Sequence, residues 1–150
     1  MEVADAFSFL IGRWSLNRLI IDYRACDRGS YQGFASLTET KLPLGNEYGR
    51  SGDYLEEGEL HFGAHRGQSQ RRLIYRNHMD MEINLFFPDG RFFTNLDLRT
   101  GSWRTIHECG ADYYEITTTV LSDDEVHEHW RVTGPSKDFS ATTTLLRLRS

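Results

Sequence analysis

The feature that most constrains this chain is its punctuation. From Gly12 onward, short runs rich in Tyr, Phe, Thr, Ile and Val alternate with turn signals, and helical periodicity is confined to the first ten residues. Candidate strands fall near residues 12–24, 29–40, 52–62, 69–79, 81–87, 91–98, 103–109, 112–121, 125–133 and 138–149. The clearest hairpin is FFPDGRFF, where Asp89-Gly90 suits a turn with positive φ between two aromatic runs. SDDE and GPSKD supply later turns. Strands that succeed one another through short loops, with almost no helix, predict a meander. A long meander exposes two edges to aggregation unless the sheet closes on itself. The expected fold class is therefore all-β: a single antiparallel up-and-down barrel of about ten strands. A short N-terminal helix precedes it, with Val3, Phe7 and Leu10 on one face and Asp5 or Glu2 at its positive end. Barrels of this size can leave a lumen that admits a small ligand.

Composition narrows the partners. The 150 residues suit one domain, 1–150, and no Gly/Ser tract or low-complexity linker divides them. Seventeen basic against 22 acidic residues give a net charge of −5 without a basic stripe, which argues against nucleic acid as partner. The opening MEVADAFSFLIGRW carries acids where a secretory leader carries positive charge, and its apolar run is too short for a membrane span. Two cysteines, Cys26 and Cys109, make no disulfide framework. The expectation is a reduced, cytoplasmic protein with no cofactor set visible in its motifs.

FLIGRWSLNR resembles the Gly-x-Trp opening of the calycin superfamily, the lipocalin, fatty-acid-binding and nitrobindin-type barrels, through Gly12 and Trp14. That resemblance implies a basic residue near the end of the last strand, covering the Trp at the closed end of the barrel. LLRLRS offers Arg147 and Arg149. More closely, the chain resembles a family of small calycin-like domains of unknown function through FLIGRW, GFAS, YLEEGEL, DGRFF, HECGADYY, the Trp at 130 and GPSKDF, in that order. One departure is the Phe93-Thr94 pair, where the family pattern implies an aromatic–His pair. The resemblance implies the fold and leaves the chemistry open.

Alternation along a strand sends successive side chains to opposite faces, so Trp14 sets the parity of its row. With Trp14 inward, Leu16, Arg18 and Ile20 follow. A buried guanidinium needs a partner: Arg18 grips a ligand carboxylate or phosphate, pairs with an internal acid such as Glu56, or is turned to solvent by strand twist. Tyr54, Leu60 and Phe62 share a face, as do Leu73, Tyr75 and Met79; Ile83, Leu85 and Phe87; and Phe92, Leu96 and Leu98. Such rows suit a lumen for a flat or long apolar ligand and equally a packed core.

HECGADYY concentrates reactive groups. Trp103, Thr105, His107 and Cys109 share a face, and after the turn Asp112, Tyr114, Ile116 and Val120 share another, so both sets can gather at one end of the lumen. Three readings compete: a hydrogen-bonded corner, a ligand contact, and catalysis with His107 as acid/base on a carbonyl or lactone beside Tyr114. A Cys–His nucleophile is disfavoured, because residues i and i+2 of a strand stand about 6–7 Å apart. His-x-Cys also supplies too few ligands for zinc. In EVHEHW the apolar Val126, Trp130 and Val132 belong inside, which sends His127 and His129 outside. Were the parity reversed, His129 would become the axial haem ligand that the nitrobindin-type resemblance suggests, although the glycine-rich run of those barrels is absent after Trp14. The reading that follows is a barrel for a small hydrophobic or acidic molecule, with Trp14, Arg18, Tyr75, His107, Cys109, Asp112, Tyr114 and Trp130 as its contacts.

Overall fold

The computed structural model describes residues 1–42, 49–77 and 82–149. Among them, α1 (Ala6–Leu10) is followed by ten strands: β1 (Gly12–Asp22), β2 (Asp27–Thr40), β3 (Arg50–Phe62), β4 (His65–Asn77), β5 (Ile83–Phe86), β6 (Phe92–Leu96), β7 (Ser102–Cys109), β8 (Asp112–Ser122), β9 (Glu125–Thr133) and β10 (Asp138–Arg147). All ten join one antiparallel sheet in the order β6-β5-β4-β3-β2-β1-β10-β9-β8-β7. The first strand pairs with the last, and the sheet curls into a nearly closed barrel whose two free edges, β6 and β7, meet. Met79, assigned to the inner row of β4, lies outside the described residues.

The meander is closed where its ends would otherwise fray. Trp14 sits opposite Arg147 in the β1–β10 register. The Arg147 guanidinium lies 4.2 Å from the indole centroid of Trp14 and donates through Nη2 to the Phe9 carbonyl at 2.8 Å. The indole Nε1 donates to the Leu10 carbonyl at 3.0 Å. This end of the barrel is thereby plugged by α1, whose Phe7 is fully buried. Asp5 caps α1, accepting from the Ser8 backbone N–H at 3.1 Å and from the Ser8 hydroxyl at 2.8 Å. Arg147 therefore takes the position over the Trp; Arg149 lies on the surface and pairs with Asp124.

Two local departures re-aim side chains. Gly90 adopts φ +91° in the expected β5–β6 turn. The pairing then slips between Leu85 and Phe86, so that Leu85 faces Thr94 while Phe86 faces Phe92. This bulge reverses the expected parity at one position: Phe92 is 54% exposed, and Phe93 turns inward at 4%. Elsewhere, Gly33 on β2 and Gly58 on β3 are register partners. A Cβ on Gly33 would stand 1.9 Å from the Glu57 carbonyl oxygen, so the two strands cross there at a separation that only glycine allows.

The junction of β6 and β7 differs from the rest of the wall. No backbone ladder joins these two strands among the described residues. Side chains bridge them instead: the Trp103 indole donates to the Asn95 carbonyl at 3.0 Å, and the Thr94 and Thr105 hydroxyls lie 3.1 Å apart. The Thr105 hydroxyl also donates to Asn95 Oδ1 at 3.2 Å. Three side-chain bonds hold this seam, where a dozen register pairs hold β2 to β3.

Candidate functional site

The lumen runs from the α1 plug to the hairpin tips, and three levels of side chains fill it. Next to the plug lie Leu10, Trp14, Leu37, Val126 and Leu145. Above them a polar level interrupts the apolar wall. Arg18 on β1 donates a fork to Glu56 on β3, Nη1 to Oε1 and Nη2 to Oε2, both at 3.0 Å, and its Nε donates to the Thr143 hydroxyl at 2.7 Å. Tyr54 donates its hydroxyl to Glu56 Oε2 at 2.6 Å, and Arg71 Nη2 donates to the same oxygen at 3.2 Å. Glu56, 1% exposed, thus accepts four hydrogen bonds.

Electrostatics follows from that geometry. Burial alone would raise the Glu56 carboxyl, but the Arg71 and Arg18 charges, with the bonds from Arg18 and Tyr54, hold it down to about 2. Burial pushes the Tyr54 and Tyr75 hydroxyls upward, with the Glu56 charge adding to the effect at Tyr54 and the Glu128 charge at Tyr75. Burial opposes the positive charge on Arg71, yet the Glu56 carboxylate keeps that guanidinium more firmly protonated than usual.

Glu128 on β9 completes the level. Its Oε1 accepts from the Trp130 indole at 2.7 Å, and among the described residues no cation forms a salt bridge with it. Burial raises its carboxyl, and the nearby Arg71 and Arg18 charges offset this in part. Arg71 stacks over the Trp130 ring at 5.0 Å, and its buried Nε has no hydrogen-bond partner. Between Arg71, Glu128, Tyr75, Trp103 and Trp130 the side chains leave a central cavity of about 50 Å³. That holds a few waters; a larger guest must displace side chains.

At the open end, Phe93, His107, Tyr114 and Trp130 form a ring cluster with centroids 5.1 Å (Phe93–His107), 5.7 Å (His107–Tyr114) and 6.1 Å (Tyr114–Trp130) apart. Tyr114 accepts from Lys137 Nζ at 3.0 Å, and Lys137 pairs with Asp112 at 3.1 Å. His107 packs its ring against Tyr114, and among the described residues no hydrogen bond to its imidazole is seen.

The structure gathers Trp14, Arg18, Tyr75, His107, Tyr114 and Trp130 on the inner face, with Asp112 half-buried at the rim. Cys109 is a correction. It shares the parity of His107, but it is the last residue of β7, before Gly110 turns at φ +62°, and its thiol is exposed. Cys26 is also exposed, at the β1–β2 turn. His129 is exposed on the outer face, with Nδ1 3.1 Å from the Thr142 hydroxyl, so it cannot reach a haem in the lumen. Arg71 and Glu128 belong to no motif in the sequence. Alternation alone assigns them: Arg71 precedes Leu73 and Tyr75 by even steps, and Glu128 lies between Val126 and Trp130.

Residues 10–147 match the family described as "Family of unknown function (DUF6314)", and the chain belongs to it. Among curated proteins, none matches the chain. An S-type phycobiliprotein lyase from Guillardia theta shares the fold at TM-score 0.72 and 13% identity, with 100% of this chain and 94% of that one covered. A de novo designed fluorescence-activating β-barrel follows at TM-score 0.50 and 13% identity, covering 97% of this chain and 100% of the design. At such identities the likeness establishes the barrel and nothing of its chemistry.

Proposed function

We propose that this barrel binds a small, largely apolar molecule in its lumen. The observation that carries the reading is the central cavity, which is walled by Trp103, Trp130, Tyr54 and Tyr75 and yet borders Arg71 and Glu128, whose polar capacity is only partly used inside the protein. A barrel interior that served only as core would be filled by apolar side chains, because a buried ion pair gives no more stability than well-packed hydrophobic residues of the same volume. Aromatic walls give a guest contact area, and a few polar groups fix its orientation. The two neighbours in fold, a phycobiliprotein lyase and a fluorescence-activating design, are in keeping with this reading.

The guest enters past the ring cluster at the open end, and the β6–β7 seam supplies the room. Parting three side-chain bonds costs far less than opening a backbone ladder, so Phe93, Thr94 and Trp103 can move outward together. No helix among the described residues is long and apolar enough to cross a membrane. The test is native mass spectrometry of freshly purified protein, followed by identification of any small molecule that co-purifies. Tryptophan emission is then titrated with a panel of aromatic and aliphatic amphiphiles. Adducts of defined mass, or saturable changes that Trp130→Phe diminishes, support the reading. Bare protein together with a flat response across the panel would overturn it.

A further inference from the structure

The two lumen arginines are not equivalent, and the difference identifies what the site can hold. Arg18 is committed. Its two terminal nitrogens bond to the two Glu56 oxygens, and its Nε bonds to Thr143. Arg71 spends one nitrogen on Glu56, at the longer distance of 3.2 Å; its buried Nε has no acceptor, and the residue lines the central cavity. A buried N–H donor without a partner is costly, and such groups are rare in proteins unless something fills the vacancy. Because the Arg71 guanidinium carbon lies 5.0 Å from the Trp130 ring centroid, an acceptor bound there would have its attached body beside the aromatic wall.

Charge constrains what that acceptor does to its surroundings. Four ionisable groups of opposite sign meet at this level: Arg18 and Arg71 against Glu56 and Glu128. With all four ionised the level is neutral, and an incoming anion would leave one uncompensated negative charge inside the barrel. Glu56 cannot absorb it, because four donors hold it ionised. Glu128 can. It borders the same cavity, receives a single hydrogen bond, and has no cation in a salt bridge among the described residues. Two carboxylates in one low-dielectric site share a proton.

Building on the lumen-binding reading, we propose that the ligand carries one acidic group, that Arg71 grips it, and that Glu128 takes up a proton as the ligand binds. The anchor is thus Arg71 on β4, with Arg18 as the brace that fixes Glu56. The groups facing Glu128 are Arg71 and Tyr75 from β4, Arg18 from β1, Glu56 and Tyr54 from β3, the Thr118 hydroxyl from β8 and Trp130 on its own strand. The arginines and tyrosines are all pushed further above neutrality and Glu56 is held down to about 2, so of the two carboxyls at this level Glu128 is the one that burial pushes upward. His107 stands at the rim, one level above.

The test uses a shape-matched pair, 2-naphthoate and 2-naphthamide, titrated calorimetrically into the full-length protein. Naphthoate should bind at least about tenfold more tightly at pH 6, and its affinity should fall as pH rises, by at most about tenfold per unit for one linked proton. Repeating the titration in buffers of different ionisation enthalpy should show close to one proton taken up with naphthoate and none with naphthamide. Arg71→Met should abolish the preference for the acid while leaving naphthamide affinity within about twofold. Glu128→Gln, which keeps an acceptor for the Trp130 indole, should bind naphthoate without proton uptake and without the pH slope; this arm stands even if Arg71→Met fails to fold. Equal binding of the two probes, or undiminished uptake in Glu128→Gln, overturns the inference and leaves lumen binding standing. Failure of both probes to bind, with the panel above also silent, removes the lumen reading as well.

Discussion

Replacing Glu56 by Gln should destabilise the barrel more than any other isosteric change in its interior. The amide keeps the volume and loses the charge, so Arg18 and Arg71 are left facing a neutral group that offers one carbonyl oxygen to the four donors now aimed at two carboxylate oxygens. Removing one partner of a buried ion pair costs about 3–5 kcal/mol. The titration of the carboxyl gives an independent figure: its pKa moves from 4.5 to about 2 on folding, which corresponds to about 3 kcal/mol at neutral pH. The sign follows from a depressed folded value. The contribution is fully present above pH 4.5 and is lost as pH falls toward 2. Urea unfolding at pH 7 should therefore show a loss of about 3–5 kcal/mol for Glu56→Gln, equivalent to roughly 6–20 °C in Tm for a chain of this length. Between pH 4.5 and 2 the wild type should converge on the variant. Exchanging the whole set, as Arg18→Met, Glu56→Leu, Arg71→Met and Glu128→Gln together, should recover much of the deficit, because no desolvated charge is then left alone. A loss under about 1 kcal/mol, or an acid limb identical in wild type and variant, would refute the argument.

Three further outcomes follow from the wall and the plug. Gly33→Ala forces a Cβ to 1.9 Å from the Glu57 carbonyl and should cost at least about 2 kcal/mol in urea unfolding, with β2 and β3 amides losing exchange protection first. Arg147→Met removes the cation over Trp14 and should cost about 0.5–2 kcal/mol, accompanied by a shift in tryptophan emission. Amides along the facing edges of β6 and β7 should exchange faster than those at the β1–β10 junction, and Thr105→Val should quicken them further while leaving that junction unchanged.

Turn residues and strand alternation carry most of this architecture in the sequence itself. Ten strands are legible because Gly and Asp punctuate aromatic and β-branched runs, and counting from Trp14 places Arg18, Glu56, Tyr75 and Trp130 on the inner face. The Arg18–Glu56 pair, one of the two partnerships open to Arg18, is the one that forms. What alternation misses has physical causes. The bulge between Leu85 and Phe86 adds a residue to one strand, which exchanges Phe92 for Phe93 without any mark that the sequence displays. Cys109 keeps its parity and loses its burial, since it ends the edge strand β7 at the turn. Arg71 and Glu128 obey the rule, yet burial of a charge is improbable for any single residue, and only the convergence of four strands makes these two acceptable.

That convergence separates the role of Arg18 from that of Arg71. Every nitrogen of Arg18 is occupied by Glu56 or Thr143, so its work is to hold the Glu56 carboxylate in place, and Glu56 in turn tethers one end of Arg71. A brace and an anchor respond differently to the same conservative change. Arg18→Lys keeps a positive charge but loses the planar fork, which should cost about 1–3 kcal/mol of stability. The discrimination between 2-naphthoate and 2-naphthamide should nevertheless persist within about twofold, since the unpartnered donor belongs to Arg71. Were Arg18 itself the residue that grips the acid, Arg18→Lys would erase the discrimination and Arg71→Met would spare it. Measuring both variants against both probes, alongside urea unfolding, therefore assigns the two guanidinium groups without knowledge of the natural ligand.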